Sequence, residues 1–375
     1  MSKWVQVSDQ LYSSSSRLAQ LQPSLLGIPK GSPSAPSSHI VQSTQSVIKS
    51  DNNVTYVCSK ILSEDCLPLC PLIPDKLEGW EKGEGYPPVL SLFSHLYCFF
   101  SFLVGALAIH TDSPTYSYLD KLYHWVQDGG RGKPSYCYPR HRVAIIIPYR
   151  NRDIHLRTFL YNIHPILNRQ ELDYGIYVIE QKGSSRFNRA MLMNIGYAEA
   201  MKIHDYQCFV FHDVDLIPEN DKNIYNCPKQ PRHMSVAVDK FKYRLPYNSI
   251  FGGVSSLTKE QFQKVNGFPN RYFGWGCEDD DMWRRIKNAG YKVIRYAREI
   301  ARYKMIKHGS DTGNKENPGR FKMLKDSKKY FKTDGINSLK YKVLKIDINH
   351  LYTRVVVDID EKEVMAGIKK VITPT

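Results

Sequence analysis

Residues 209–218 read FVFHDVDLIP, and this stretch constrains the fold more than any other. Phe209, Val210 and Phe211 form an apolar run of strand composition. Asp213 and Asp215 follow at once, and Pro218 prevents the strand from continuing. Two carboxylates at the end of a buried strand are costly unless something neutralises them. A divalent cation would do so, and so would a nucleotide held through one. Taken alone, such a D-x-D reads first as a solvated turn. Here the stretches on either side read as parts of one site.

Residues 143–148 (VAIIIP) are a continuous apolar, β-branched run, the composition of a central strand covered on both faces. An amphipathic stretch with Leu156, Phe159, Leu160 and Ile163 at helical spacing follows. Residues 176–180 (IYVIE) read as a second strand and residues 187–200 as a second helix; FVFHDVD is the third strand. Alternating strands and helices predict an α/β fold with a mostly parallel central sheet flanked by helices. Ligands of such sheets bind beyond the carboxyl ends of the strands. Arg150, Arg152, Phe187, Arg189, Asp213 and Asp215 all fall at or just past such ends.

The most specific stretch is Gly274-Trp275-Gly276-Cys277-Glu278-Asp279-Asp280-Asp281. Glycines on both sides of a tryptophan let the ring move or lie close to a ligand. Helix capping explains one or two of the acids but not four. Sugars pack on aromatic faces while carboxylates take their hydroxyls, and a carboxylate that accepts a hydroxyl proton is a general base. A solvated acidic turn is the bland alternative. A helix is expected from about Asp280, with Gly290 just past its end. Met305-Ile306-Lys307-His308 is weaker: His308 could join Asp215 at a metal, whereas spacing alone makes Met305 a core residue.

The remaining features set the context. Residues 1–69 are rich in Ser, Gln and Pro at first and read as a stalk-like N-terminal segment; 70–136 read as a linker, and 137–375 as the catalytic domain. Residues 89–109 hold no Asp, Glu, Lys or Arg, long enough for a membrane-spanning helix, with a buried helix or an irregular insertion as alternatives. The net charge of +15 permits nucleic acid, an anionic membrane or a phosphorylated small molecule as partner. Residues 302–332 carry much of the excess but no nucleic-acid motif, so no nucleic-acid partner is expected. None of the eight cysteines forms a CxxC. Cys208 and Cys227 bracket the DVD strand, which suits a disulfide in an oxidising compartment, with buried thiols as the alternative.

The blocks VAIIIPYRNRDIHLR, RFNRAMLMNIGY, CFVFHDVDLIPENDKNIYNC, FGGVSSLTKEQFQKVNGFPNRYFGWGCEDDDMWRRI, MIKH and NPGRF together resemble the β-1,4-galactosyltransferase family. The pattern is nearest that of its invertebrate N-acetylgalactosaminyltransferase members. The likeness runs from about Cys137 to Asp358. It implies a GT-A fold, an inverting reaction, a Mn²⁺-bound UDP-sugar donor, a terminal N-acetylglucosamine acceptor and a Golgi membrane protein with a lumenal catalytic domain. By resemblance, Asp215, Met305 and His308 are the metal ligands, which reverses the reading of Met305. Pro148, Tyr149, Arg150, Arg152, Phe187, Arg189, Asp213, Val214, Lys240, Ile250 and Trp275 lie at donor positions. Asp279 is the base, with Glu278 beside it; Tyr247, Gly276, Asp280, Arg320 and Phe321 are on the acceptor side. The 308–321 segment is implied to close over the donor. Cys208–Cys227 and Cys70–Cys137 match the family's disulfides.

Three departures stand out. Cys277 is unusual within its motif, the family's N-terminal anchor helix is missing, and residues 89–109 lie where the family is shorter. A single crossing by 89–109 would put Cys70 and Cys137 on opposite sides of a bilayer, so that crossing and that disulfide exclude one another. The leading expectation is a Mn²⁺-dependent β-1,4-glycosyltransferase, using UDP-N-acetylgalactosamine or, alternatively, UDP-galactose. A non-catalytic glycan-binding protein of the same fold is the reading from another class.

Overall fold

The computed structural model describes residues 107–309 and 312–370, and before them 47–51, 54–58, 66–72 and isolated positions nearby. Most of the apolar stretch 89–109 lies outside the described residues, as does most of 1–69. Among the described residues no helix is long and apolar enough to cross a membrane. The chain divides into two compact units, 1–70 with 135–138, and 71–134 with 139–375.

The smaller unit holds β1 (Val47–Asp51), β2 (Val54–Cys58) and β3 (Cys66–Pro68) in one antiparallel sheet. Leu69 then bridges Tyr138, and Cys70 is disulfide-bonded to Cys137.

The larger unit runs α1 (Tyr116–Leu122), β4 (Arg142–Tyr149), α2 (Asp153–Arg169), β5 (Asp173–Lys182), α3 (Arg189–Ile203), β6 (Cys208–His212), β7 (Leu216–Pro218), β8 (Arg232–His233), β9 (Ala237–Val238), β10 (Val254–Thr258), α4 (Lys259–Lys264), α5 (Glu278–Asn288), β11 (Arg302–Met305), α6 (Arg320–Lys325), β12 (Lys342–Ile348), β13 (Thr353–Asp358) and α7 (Glu361–Lys370). Seven strands form the main sheet in the order β12-β13-β5-β4-β6-β10-β8. Its middle is parallel: β13 with β5, β5 with β4, and β4 with β6. Its margins are antiparallel, so the sheet is mixed.

β4 shows why an unbroken apolar run was needed. Val143, Ile145 and Ile147 pack into the core cluster shared with α2, while Ala144 and Ile146 pack into the cluster shared with α3. Successive side chains of a strand point to opposite faces, and here a helix covers each face. Past His212 the chain leaves the main sheet. After a turn it forms β7, of which Pro218 is the last residue, in a second sheet ordered β7-β11-β9. This small sheet places residues near 215 beside residues near 305.

Candidate active site

β4, α3, β6 and the segment before β10 meet at the carboxyl end of the parallel strands. Asp213 donates its backbone N–H to the Gly253 carbonyl, 3.1 Å away. Arg189, in the first turn of α3, donates from Nε to Asp213 Oδ1 at 2.6 Å and from Nη1 to Glu278 Oε1 at 3.4 Å. One guanidinium thus ties the DVD strand to the acidic start of α5. Its α3 site is fixed by Asn188, whose side chain accepts the Met191 N–H.

β7 and β11 are antiparallel, with Met305 opposite Leu216. The Ile306 N–H reaches the Asp215 carbonyl at 2.8 Å, and His308 Nε2 lies 3.2 Å from Asp215 Oδ2. That contact raises His308 above its ordinary value. Asp215, Met305 and His308, about ninety residues apart in sequence, therefore stand together. Asp239 holds the Met305 N–H at 2.8 Å, a contact with no periodic signal in the sequence. Under the strand ends lies a buried polar chain, also unforeseen. His212 Nε2 is 2.8 Å from the Tyr225 hydroxyl, which is 3.1 Å from that of Tyr303, two residues before Met305.

The four acids of α5 divide by burial. Asp281 is fully buried, accepts from Arg285 Nε and Tyr272 Oη at 2.9 Å each, and lies near Arg271. It belongs to the core. Glu278, Asp279 and Asp280 face the site. Burial, then Asp279, pushes Glu278 up to about 7, and the same two causes push Asp280 up to about 6. Burial also lifts Asp213 to about 6, against the pull of Arg189. Asp279 lies over Gly252, where a Cβ would come within 2.8 Å of its Oδ2. Tyr247, half-exposed, hydrogen-bonds Asp280.

Trp275 is 60% exposed. Its backbone pairs with the 315–317 segment, through Trp275 N–H to the Lys315 carbonyl and Asn317 N–H to the Trp275 carbonyl, each 3.0 Å. Gly276 has φ +116°, and a Cβ there would meet Arg320 Cδ at 2.5 Å. The glycine thus admits Arg320, whose guanidinium lies 5.9 Å from the Trp275 ring and 4.3 Å from that of Phe321.

On the other side, Pro148, Tyr149 and Val214 are buried. Arg150 stacks 5.0 Å from the Phe187 ring and donates to the Ser185 and Gly313 carbonyls at 3.1 and 2.6 Å. Arg152 precedes α2. The half-buried Ile250 offers its carbonyl to Arg295 Nη2 at 3.0 Å. Lys240 is exposed, with Nζ 5.9 Å from the Phe241 ring; its backbone N–H is held by Asp239, which also holds the Met305 N–H. Cys208 is disulfide-bonded to Cys227.

Two family models match in tandem: the N-terminal region of glycosyl transferase group 7 over residues 99–228, and the N-terminal domain of galactosyltransferase over residues 232–309. Together they cover more than half of the chain. The chain belongs to the β-1,4-galactosyltransferase family. It is 54% identical over 234 residues to β-1,4-galactosyltransferase 1 of Mus musculus, covering 62% of this chain and 59% of that one. To β-1,4-galactosyltransferase 3 of Rattus norvegicus it is 48% identical over 260 residues, covering 69% and 66%. The chain thus spans about six-tenths of the length of these relatives. Its fold is that of the GT-A glycosyltransferases. A solved structure of a Drosophila β-1,4-galactosyltransferase 7 mutant, complexed with manganese, UDP-Gal and xylobiose, matches with a TM-score of 0.51 and 29% identity, over 60% of this chain and 98% of that one.

Proposed function

We propose that this chain is an inverting β-1,4-glycosyltransferase that moves N-acetylgalactosamine from its UDP donor to terminal N-acetylglucosamine of a glycan. One observation carries the reading: Asp215, Met305 and His308 meet beside the Arg189–Asp213 pair and the Glu278–Asp280 carboxylates. An imidazole and a thioether beside the carboxylate suit a first-row transition ion such as Mn²⁺ better than Mg²⁺, which keeps to oxygen. Burial first, and then the neighbouring Asp215, push Asp213 up against the pull of Arg189, which fits a place made for a cation. Asp215, Met305 and His308 would hold the ion, which would supply positive charge to the donor diphosphate. Arg150 and Arg152 would match the diphosphate with forked donors.

Asp279 takes the proton of the acceptor hydroxyl as its oxygen bonds the anomeric carbon. The bond from that carbon to the UDP oxygen breaks, its electron pair leaves with UDP, and attack from the opposite face inverts the centre. Burial and Asp279 raise Glu278 to about 7, so it can donate as well as accept a hydrogen bond to a sugar hydroxyl, and the lower-lying Asp280 chiefly accepts. The two disulfides fit an oxidising lumen such as that of the Golgi.

Ile250 supports the N-acetylgalactosamine donor. Relatives that use UDP-galactose mostly place a tyrosine here, against the sugar's C2 substituent. Isoleucine removes that ring and its hydroxyl and leaves an apolar wall for an acetyl methyl. The names of the relatives favour galactose instead. A methyl-sized contact is worth ~1–3 kcal/mol, so preference rather than exclusion is expected.

The test offers the full chain both donors, with Mn²⁺ and an N-acetylglucosamine acceptor. UDP-N-acetylgalactosamine should be preferred, Ile250→Tyr should shift transfer toward galactose, and Asp215→Asn or His308→Ala should abolish Mn²⁺-dependent turnover. A wild-type preference for UDP-galactose would make this a galactosyltransferase. Near-normal turnover in either ligand variant at micromolar Mn²⁺ would unseat the metal assignment.

A further inference from the structure

α6 leads away from the mouth of the site. Its first two residues are Arg320 and Phe321, the latter 64% exposed. Lys322 and Lys325 follow on the same helix, then Lys328 and Lys329 in the 3-10 turn Ser327–Tyr330, then Lys332; all five are exposed. Just before α6, Lys315, also exposed, sits on the segment paired with Trp275. α5 packs against α6 and extends the same face: Arg284 Nη1 donates to the Leu324 carbonyl, and Lys287 is exposed one turn further along.

This face lacks compensating acids. Between Lys315 and Lys332 the acidic residues are Glu316 and Asp326. Each is already committed, Glu316 to Arg320 and Asp326 to Lys329. Among the described residues Lys322, Lys325, Lys328 and Lys332 make no ion pair. Elsewhere in the same unit several surface lysines do have carboxylate partners, as Lys182 with Glu180, Lys202 with Glu199, Lys259 with Asp205 and Lys345 with Asp347. A charge run is ordinarily a solvated face. This one starts at Arg320 and the exposed Phe321, and it concentrates unneutralised like charge beside the open edge of the site.

We propose that the Lys315–Lys322–Lys325–Lys328 face binds the anionic part of the acceptor. It would take a glycoconjugate whose sugars or carrier beyond the terminal residue bear sulfate, phosphate or carboxylate groups. The inference rests on the glycosyltransferase reading and narrows its acceptor class. The face draws the anionic chain in over roughly a Debye length, about 8 Å at physiological salt, and does not touch the reacting atoms. It therefore acts on acceptor KM and leaves kcat alone.

The experiment uses the full chain and two acceptors with the same N-acetylglucosamine-terminated trisaccharide, one on a neutral tag and one on a trisulfated tag. Affinity is measured alongside turnover. At low salt the sulfated acceptor should show a KM and Kd about tenfold lower than the neutral one, a gap that closes as salt rises. K322E/K325E/K328E should remove the gap and keep kcat on the neutral acceptor. The control K342E/K292E/K362E has the same net charge, changes lysines outside this face, and should keep the gap. Equal constants for the two acceptors in the wild type, or loss of the gap in the control, would overturn the proposal. So would variant-sensitive binding to phosphatidylserine vesicles without any acceptor preference, which would make the face a membrane contact. Transfer to neither acceptor with the affinity gap intact would refute the catalytic reading and uphold this one; transfer to neither with no gap would refute both.

Discussion

Adjacent aspartates of one motif have unlike fates, and two substitutions should separate them. Asp279→Asn keeps shape but cannot take a proton, so turnover should fall ~10²–10⁴-fold, while Tm at pH 7.5 should hold or rise because a charge crowding Glu278 and Asp280 is gone. Normal turnover in that variant would move the base to Glu278 or Asp280. Asp281→Asn breaks a buried pair with Arg285 and Arg271 and should cost about 3–5 kcal/mol in a urea melt. Two neighbours of equal charge cannot be told apart by spacing. Only burial distinguishes them, which is why four acids read as one site in the sequence when three face it. Cys277 is the other residue with a testable oddity. It occupies the left-handed region at φ 69°, where a side chain costs ~1–2 kcal/mol. Cys277→Gly should leave Tm unchanged or raise it by a few degrees, and Cys277→Val should lower it. Burial and the adjacent Asp280 push the thiol up to about 11, so alkylation of the native protein at pH 7.5 should be slow. Rapid labelling would show that the thiol is not enclosed as described.

At the level of elements, the start of α5 and the end of β6 are a crowded set of carboxylates with a pH signature. Glu278, Asp280 and Asp213 sit at about 7, 6 and 6 in the folded protein, against roughly 4 when unfolded. Above the folded values both states are ionised and the crowding penalty is complete. As pH falls toward 4 the folded state takes up protons first, and the penalty disappears. Acidification from pH 7.5 to 5 should therefore strengthen this cluster's contribution to stability while turnover falls. Asp280→Asn should show a smaller gain, or a larger loss, in Tm over that interval than the wild type. Parallel Tm curves would contradict the placement of Asp280. β4, β5 and β6 were legible because β-branched and aromatic runs have few other uses. α5 was legible from its acidic start and glycine stop. The pairing of β7 with β11 was not, because strands of three and four residues carry no periodicity and their contact spans about ninety residues. Met305 therefore read as core from spacing, and only the family likeness placed it at the metal. The antiparallel margins of the sheet were not legible for a different reason: the pattern of one strand does not tell which neighbour it will find.

For the molecule as a whole, a non-reducing digest should yield Cys70 linked to Cys137 and Cys208 linked to Cys227. Finding Cys70 and Cys137 unlinked in the native protein would reopen a single membrane crossing by residues 89–109. The order of strands in the main sheet has a further consequence, for how the protein is made. β13 pairs in parallel with β5, so that Thr353 lies beside Tyr177. β4 and β6, which complete the other side of β5's neighbourhood, are synthesised far earlier. At about 5–20 residues per second, roughly nine to thirty-five seconds of translation separate the two partners. Throughout that interval an apolar strand destined for the middle of the sheet presents an open edge to whatever else is nascent, the hazard that edge strands carry. A ribosome stalled before the codon for Thr353 would hold an adhesive intermediate, and a stop codon just ahead of it would be a lesion of solubility before it was one of catalysis.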